Sequence, residues 1–501
     1  MGSNIFNASN LTEVFFQHSK NSEFFLILGS VERVSYRDAY SRIEQLSQGL
    51  LNLKLPANSC IPLVSENNIF FIITYFSITK SGHVCVPLDP KTTVEQFNSI
   101  NLLCEVKLAF IQSKHLEKFS QDSFCKIFTE ENYASLNKGG MDVANTNKDD
   151  TAVILFTSGS TGEPKGVMLT HGNFISNAES ILNFLPITSS DILEMVLPFY
   201  YSFGLSALHT HVHAGGAIVI NNKFMFPSSV IKHINEYQCT AFYGVPSHFQ
   251  ILMRNTTFLK TAMPSLKYLA QAGGKLAVTF VEELGDALPE VRLFLMYGAT
   301  EATARLTYLE PEMLSKKASS IGKAISGVSL KIVKANGSEA QPHEVGEIRA
   351  AGANIMKGYF KDPESTRAVL QDGWLRTGDL AKSDEAGYIF IVDRERDFIK
   401  SAGYRISSKE IEDIILQNKN ILEVAVIGIY DELIGEAVCA YVVAKSGVTV
   451  SKEQIVDDCL AKLASHKIPR SVIILDSLPK GSNGKYLKVE LRRLQEMHKQ
   501  L

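Results

Sequence analysis

The sequence predicts a two-part chain: a large α/β domain over 1–393 followed by a small α+β domain over 394–501. Three observations predict it. In the first half, short apolar runs trade places with stretches of helical periodicity, the pattern of parallel strands joined by crossover helices. A length of 501 residues exceeds what one ordinary core accommodates. At Asp393-Arg394-Glu395-Arg396-Asp397 the composition turns abruptly from apolar to charged, which marks a boundary.

In chain order, Ser35-Tyr-Arg-Asp is a helix cap, with Tyr36, Ala39, Ile43, Leu46 and Leu50 at helical spacing behind it. Ile61–Val64 reads as a strand, Asn67–Lys80 as a helix and His83–Leu88 as a strand. Ala152–Phe156 is short, continuous and partly β-branched, as a strand buried on both faces would be. Thr170 is expected to cap the next helix. His209, His211 and His213 alternate, as metal ligands on a strand would. Ala214-Gly215-Gly216 instead ends a helix there, with His209 and His213 on one face and His211 on another. No cysteine or carboxylate sits nearby in sequence to complete a ligand set. Phe242–Ser247 and Ala272–Leu276 each end a short strand, and Gly387–Val392 closes the large domain. In the small domain, Ile399–Ser407 is hairpin-like and Ser407-Ser408-Lys409-Glu410 caps a helix bearing Ile411, Ile414 and Ile415. Strands over 423–429 and 437–444 and a helix over 452–463 complete it.

Composition narrows the function classes. Hydrophobic content of 45% and charged content of 21% are those of a soluble globular protein. A net charge of −3, with no basic run, offers no footprint for nucleic acid. The seven cysteines are scattered and form no Cys-x-x-Cys pair, which fits reduced thiols and a cytoplasmic location. No window reaches the ~18 uninterrupted apolar residues of a membrane span. Oligomeric state, monomer or homodimer, is left open.

The strongest motif follows the strand at 152–156. Thr157-Ser158-Gly159-Ser160-Thr161-Gly162-Glu163-Pro164-Lys165-Gly166 packs four hydroxyls, three glycines and a lysine into ten residues. Glycines let backbone N–H groups approach a polyphosphate, hydroxyls add donors, and Lys165 adds a point charge. Neither the Walker A pattern nor the dinucleotide glycine turn can be laid over it. A Ser/Gly-rich linker rarely follows a buried strand directly or carries Pro-Lys-Gly at its end.

This segment resembles, without a substitution, the signature of the adenylate-forming superfamily, which includes acyl- and aryl-CoA ligases, peptide-synthetase adenylation domains and beetle luciferase. Met296-Tyr297-Gly298-Ala299-Thr300-Glu301 and Gly373–Asp379 match further family segments. The resemblance implies stacked mixed sheets with flanking helices, closed by a mobile C-terminal lid that carries a catalytic lysine, here Lys485. It places ATP and AMP on Thr157, Ser158, Gly159, Ser160, Thr161, Gly162, Lys165, Gly273, Gly274, Tyr297, Gly298, Asp379 and Arg394. Tyr297 would lie on adenine, Thr300 donate to the α-phosphate, Glu301 hold Mg2+ and Asp379 accept from the ribose hydroxyls. The acyl pocket it implies is Tyr200, Tyr201, Phe203, Phe242, Tyr243, Gly244, Val245 and Ala272. Tyr201 stands where the family often has histidine, and Lys275 where small or acidic residues are common. Arg396 occupies the hinge, and Gly403, Tyr404 and Arg405 the loop facing the thiol.

The implied reaction activates a carboxylic acid with ATP, releases pyrophosphate and passes the acyl group to a thiol. Two acceptors stay open: coenzyme A, or the phosphopantetheine arm of a separate acyl or aryl carrier protein. A third reading, a non-catalytic scaffold, would need eroded signatures, whereas Glu301, Asp379 and Lys485 are present. Residues 199–204 lack the aspartate with which peptide synthetases hold an amino group. The aromatic pocket points to an aryl or medium-length apolar acid.

Overall fold

The computed structural model describes residues 9–27, 32–120, 125–136, 144–157, 164–394, 397–481 and 484–499. Among them, the large domain holds three sheets and the small domain one. A seven-stranded sheet is parallel over Thr151–Thr157, Val84–Leu88, Cys60–Val64, Leu108–Ile111 and Lys126–Phe128. Lys165–Thr170 and Gly358–Tyr359 extend it antiparallel. A nine-stranded sheet is built around the parallel strands Arg292–Tyr297, Tyr268–Gln271, Ala241–Gly244, Ile192–Met195 and Ala217–Ile220. Both are therefore mixed.

Helices Leu11–Phe16, Tyr36–Asn52, Ile69–Lys80, His171–Leu182 and Ser202–Ala214 share one continuous core with inward residues of both sheets. The helix Ile69–Lys80 shows why. Its sequence is apolar all round, and every residue from Phe70 to Thr79 is buried, the signature of a helix enclosed on all sides. Each fully buried Phe or Ile there contributes about 1.5–3 kcal/mol. Local chemistry sets the ends. Ser35 accepts from the Asp38 amide, and Thr170 and Asn173 form a reciprocal capping box. Gly215, at φ +76°, stops the histidine-bearing helix where the sequence places its end. His209 bonds the Tyr75 hydroxyl at 2.9 Å, and burial lowers its pKa to about 3, so it is a neutral core residue. The seven cysteines are free thiols, and no helix among the described residues is long and apolar enough to cross a membrane.

A third, antiparallel sheet spans 328–394. Its register sets Asp379 directly opposite Arg394. The small domain begins its own sheet with the hairpin Ile399–Ser401 and Tyr404–Ile406. It continues through Ile421–Asp431, Gly435–Ala444 and Ser471–Ile474. One expected cap is corrected here. Ser407 sits at the start of helix Ser408–Ile415, but its hydroxyl donates to Val392 O and Asp393 Oδ2 instead of capping. The buried Asp393 carboxylate accepts from the Ser408 amide at 2.8 Å and supplies the cap from the preceding strand. A charged acceptor outcompetes a hydroxyl for that amide.

The small domain rests on helix Pro246–Asn255. Ser247 Oγ donates to Gly484 O at 3.0 Å, and Tyr486 Oη donates to Gln250 Oε1 at 2.9 Å. Beside this platform Lys275 Nζ reaches Asp413 Oδ2 at 2.6 Å, with both side chains largely covered. A partly exposed pair of this kind contributes ~0.2–1 kcal/mol. Lys275→Ala is therefore expected to slow adenylation by only ~1.5–5-fold, without slowing thioester formation from a supplied adenylate. Separate single-turnover assays of the two steps check this, and a slowed second step would contradict it.

Candidate active site

The carboxyl ends of the parallel strands in the nine-stranded sheet converge on one cleft, the expected ligand position in an open α/β sheet. Tyr297 ends its strand there and donates from Oη to Asp379 Oδ2 at 2.6 Å. Arg394 Nε donates to the other carboxylate oxygen, Oδ1, at 3.1 Å. Asp379 is thus held between two donors, with lone pairs left for a ligand diol. Burial and the adjacent carboxylate push the Tyr297 hydroxyl far above the usual phenol range.

After Tyr297 the chain folds back sharply on itself. The Leu306 amide donates to Tyr297 O at 2.8 Å. A Cβ on Gly298 would lie 1.8 Å from Ala304 O, so only glycine permits this approach. Thr303 (φ +61°) and Ala304 (φ +138°) take backbone conformations costing about 1–3 kcal/mol each in non-glycine residues. Buried Asn354 offsets that cost. Its Nδ2 donates to Ala302 O and Arg305 O, and its own carbonyl accepts from Thr303 Oγ1.

Thr300 and Glu301 lie on this turn. Glu301 Oε1 accepts from Tyr359 Oη at 2.9 Å, and Lys165 Nζ lies 5.3 Å over the Tyr359 ring while donating to Ser365 Oγ at 2.7 Å. Tyr359 therefore links the carboxylate to the lysine at the base of the Ser/Gly-rich connection. That connection joins the antiparallel strands Thr151–Thr157 and Lys165–Thr170. Thr157 pairs Lys165 across its mouth, and Ser158, Gly159, Ser160, Thr161 and Gly162 lie outside the described residues, as does Arg396.

A cavity of about 80 Å³ opens between the turn and the segment 197–204. Tyr201, Phe203, Val245, Ala272, Gly273, Gly298, Thr300 and Lys485 line it. Gly273 takes a left-handed backbone (φ +88°) beside Lys485, and a Cβ there would press Val245 Cγ1 at 3.0 Å. Gly274 sits just behind, where its carbonyl accepts from Gln271 Nε2. Lys485 remains accessible through the cleft yet is closely surrounded by protein. Desolvation first, then the Arg394 charge, lowers its ammonium to about 8 against the opposing pull of Asp379 and Glu301. Tyr201 Oη donates to Asp89 Oδ2 at 3.2 Å, and Ser202 Oγ lies 3.4 Å from Thr300 Oγ1.

Three expected pocket residues are corrected. Phe242 is fully buried against Phe249 and Phe258 in a separate core, and Gly244 faces the same way, toward Phe249 and His248. Residues two apart share a sheet face, so Tyr243 alone of the three turns toward Phe203. Tyr200 flanks Tyr201 at 5.0 Å between ring centroids without lining the cavity. Gly403, Tyr404 and Arg405 sit on the small domain's hairpin beside Lys400 and do not line this cleft, and Tyr404 stacks on His466 at 4.1 Å. Two contributors escape the sequence reading: Tyr359 as the bridge just described, and Arg305, which lines the cavity. A lone cation in the otherwise uncharged run Ala302–Leu309 is the signal that points to Arg305.

Fold and cleft together define an AMP-forming acid–thiol ligase, an enzyme class that uses ATP, Mg2+ and coenzyme A. The chain belongs to the AMP-binding enzyme family: it matches the AMP-binding enzyme model over residues 15–360 and the AMP-binding enzyme C-terminal domain over 410–485. It is 29% identical over 486 residues to 4-coumarate–CoA ligase-like 6 of Arabidopsis thaliana, covering 92% of this chain and 86% of that protein. To 2-succinylbenzoate–CoA ligase of Bacillus subtilis it is 34% identical over 346 residues, 69% of each chain. The solved o-succinylbenzoate coenzyme A synthetase of Bacillus subtilis, in complex with ATP and magnesium ion, superposes with a TM-score of 0.84. Identity there is 27%, with 96% of this chain and 99% of that one covered.

Proposed function

We propose that this chain condenses an aryl or medium-length apolar carboxylic acid with ATP to give an acyl-adenylate, then passes the acyl group to the thiol of coenzyme A. The observation that carries this reading is the position of Lys485. A lysine from the small domain stands in the large domain's cleft beside Gly273 and within the fields of Asp379 and Glu301.

Attack of a carboxylate on the α-phosphorus brings two anions together, so the barrier is electrostatic and positional. Lys485 neutralises the reacting oxygens. Thr300 donates to the α-phosphate, Lys165 and the 157–162 segment hold the departing pyrophosphate, and Asp379, with Arg394 behind it, accepts from the ribose hydroxyls. Among the described residues no three His, Cys, Asp or Glu side chains form a metal cage. A single carboxylate, Glu301, beside a polyphosphate nevertheless fits Mg2+, which takes most of its ligands from phosphate and water. When bound, the ion spreads the charge developing on the phosphate oxygens.

The division at 393/394, with rotation about Arg396, would withdraw Lys485 and bring Gly403, Tyr404 and Arg405 to the cleft for the thiol. A carrier-bound phosphopantetheine is the alternative acceptor, since it presents the same thiol arm as coenzyme A. The test is pyrophosphate release across a panel of aryl and alkyl acids, with thioester products identified by mass against CoA and candidate carriers. Acid-dependent release with acyl-CoA formation is expected. No ATP–pyrophosphate exchange with any acid would overturn the reading in favour of a scaffold.

A further inference from the structure

Arg305 is 2% exposed, lines the acyl cavity and has no carboxylate partner among the described residues. Its contacts are neutral. Nε approaches Met296 Sδ at 3.3 Å, Nη1 donates to the neighbouring Ala304 carbonyl at 3.3 Å, and the guanidinium lies 4.0 Å over the Phe203 ring. Arginine almost never goes so deep unpaired, because burying the charge costs several kcal/mol unless an anion answers it. Desolvation already lowers its pKa to about 9, which leaves it a cation at neutral pH.

Two buried polar side chains lie behind Phe203, outside the cavity lining. The Tyr243 ring is 1% exposed and 6.3 Å from Phe203, and its hydroxyl neighbours that of Tyr268. His211 Nε2 finds no hydrogen-bond partner among the described residues, its ring meeting Tyr243 edge-on at 5.6 Å. Burial lowers the His211 pKa to about 4, so it is neutral, and Nδ1–H donating to Ala207 O leaves Nε2 an acceptor. His211 Nε2 thus carries no positive charge to compete with Arg305 for an anion. Lysine is absent from the wall except at Lys485, on the Gly273 side of the cavity.

The backbone is shaped to hold this arginine. The left-handed Thr303 and the φ +138° at Ala304 turn the chain immediately before it, and Asn354 pins Arg305 O. Strain maintained at such a point belongs to sites where a side chain is held in position for use.

We propose that the acid accepted by this pocket carries a second carboxylate at its far end, paired by Arg305. This rests on the ligase reading above. The reacting carboxylate goes to Thr300 and Lys485, and the distal one supplies the anion that the buried guanidinium lacks. The aromatic wall between them, Phe203 and Tyr201, covers the body of the substrate.

Matched acid pairs test it: hexanoate against adipate, and 3-phenylpropanoate against 3-(4-carboxyphenyl)propanoate. Initial rates of pyrophosphate release give kcat/KM for each. Wild-type enzyme is expected to favour the diacid of at least one pair by tenfold or more. Arg305→Leu should lower the diacid-to-monoacid ratio by ~100-fold, because a site built for a polar group discriminates strongly once that group loses its partner. Arg305→Lys should fall between the two. If leucine at this buried position prevents folding, the Lys variant carries the same ratio test. Wild-type enzyme that activates both monoacids as well as their diacid partners overturns the inference while leaving the ligase reading intact. Exchange with no acid at all, in protein whose melting temperature AMP still raises, removes the ligase reading and the inference together.

Discussion

Lys485→Ala is expected to abolish adenylation, with kcat/KM for pyrophosphate release falling ~10²–10³-fold, the scale seen when one preorganised donor is lost from a developing charge. Thioester formation from a chemically supplied acyl-adenylate should survive, because rotation of the small domain would take this side chain out of the cleft before the thiol arrives. Loss of both steps would contradict the two-state picture. The charge itself can be tested by pH. With the Lys485 ammonium lowered to about 8, the cationic form dominates below that value and the neutral amine above it. Adenylation kcat/KM, which reports the free enzyme, should therefore decline as pH rises through about 8. Lys485→Arg should flatten that alkaline limb, since a guanidinium stays charged there.

Asp379→Ala is the second large effect. Removing the carboxylate leaves the Tyr297 hydroxyl without its 2.6 Å acceptor. An unsatisfied buried donor costs about 1–3 kcal/mol. Arg394, whose side chain is half exposed, turns to water and adds little. Thermal unfolding should register this modest loss. The KM for ATP should rise ~10-fold or more through the missing ribose contact, one tenfold step per 1.4 kcal/mol. Asp379→Asn keeps an acceptor and should lie between. An unchanged KM for ATP would remove Asp379 from the ribose site.

What the sequence reveals and what it hides follow from the range of the forces involved. Helix ends at Ser35, Thr170 and Gly215 are legible because a cap is a contact between neighbours in the chain. The phosphate-loop and Tyr297–Glu301 segments are conspicuous because their residue types cluster among neighbours, whereas Lys485 stands out only through the resemblance of the whole set. Facing is harder. Phe242 and Tyr243 are equally aromatic, and only the sheet's packing partners decide which one turns toward Phe203. The Asp393 cap of the helix at Ser408 is hidden for the same reason, since it comes from across the domain boundary while Ser407 stands in the expected place. Arg305 shows a third kind of concealment. Its residue type is conspicuous in an uncharged run, but its lack of a counter-ion appears only once the surrounding strands are assembled.

Lys485 and the Tyr404 hairpin are carried by the same small domain, and only the first of them now addresses the cleft. If the small domain turns as proposed, it offers the two faces of its cover in succession, dividing each turnover into two phases that exclude each other in time. On that reading, scarcity of acceptor would leave the mixed anhydride enclosed, consuming a single nucleotide per molecule instead of draining the supply.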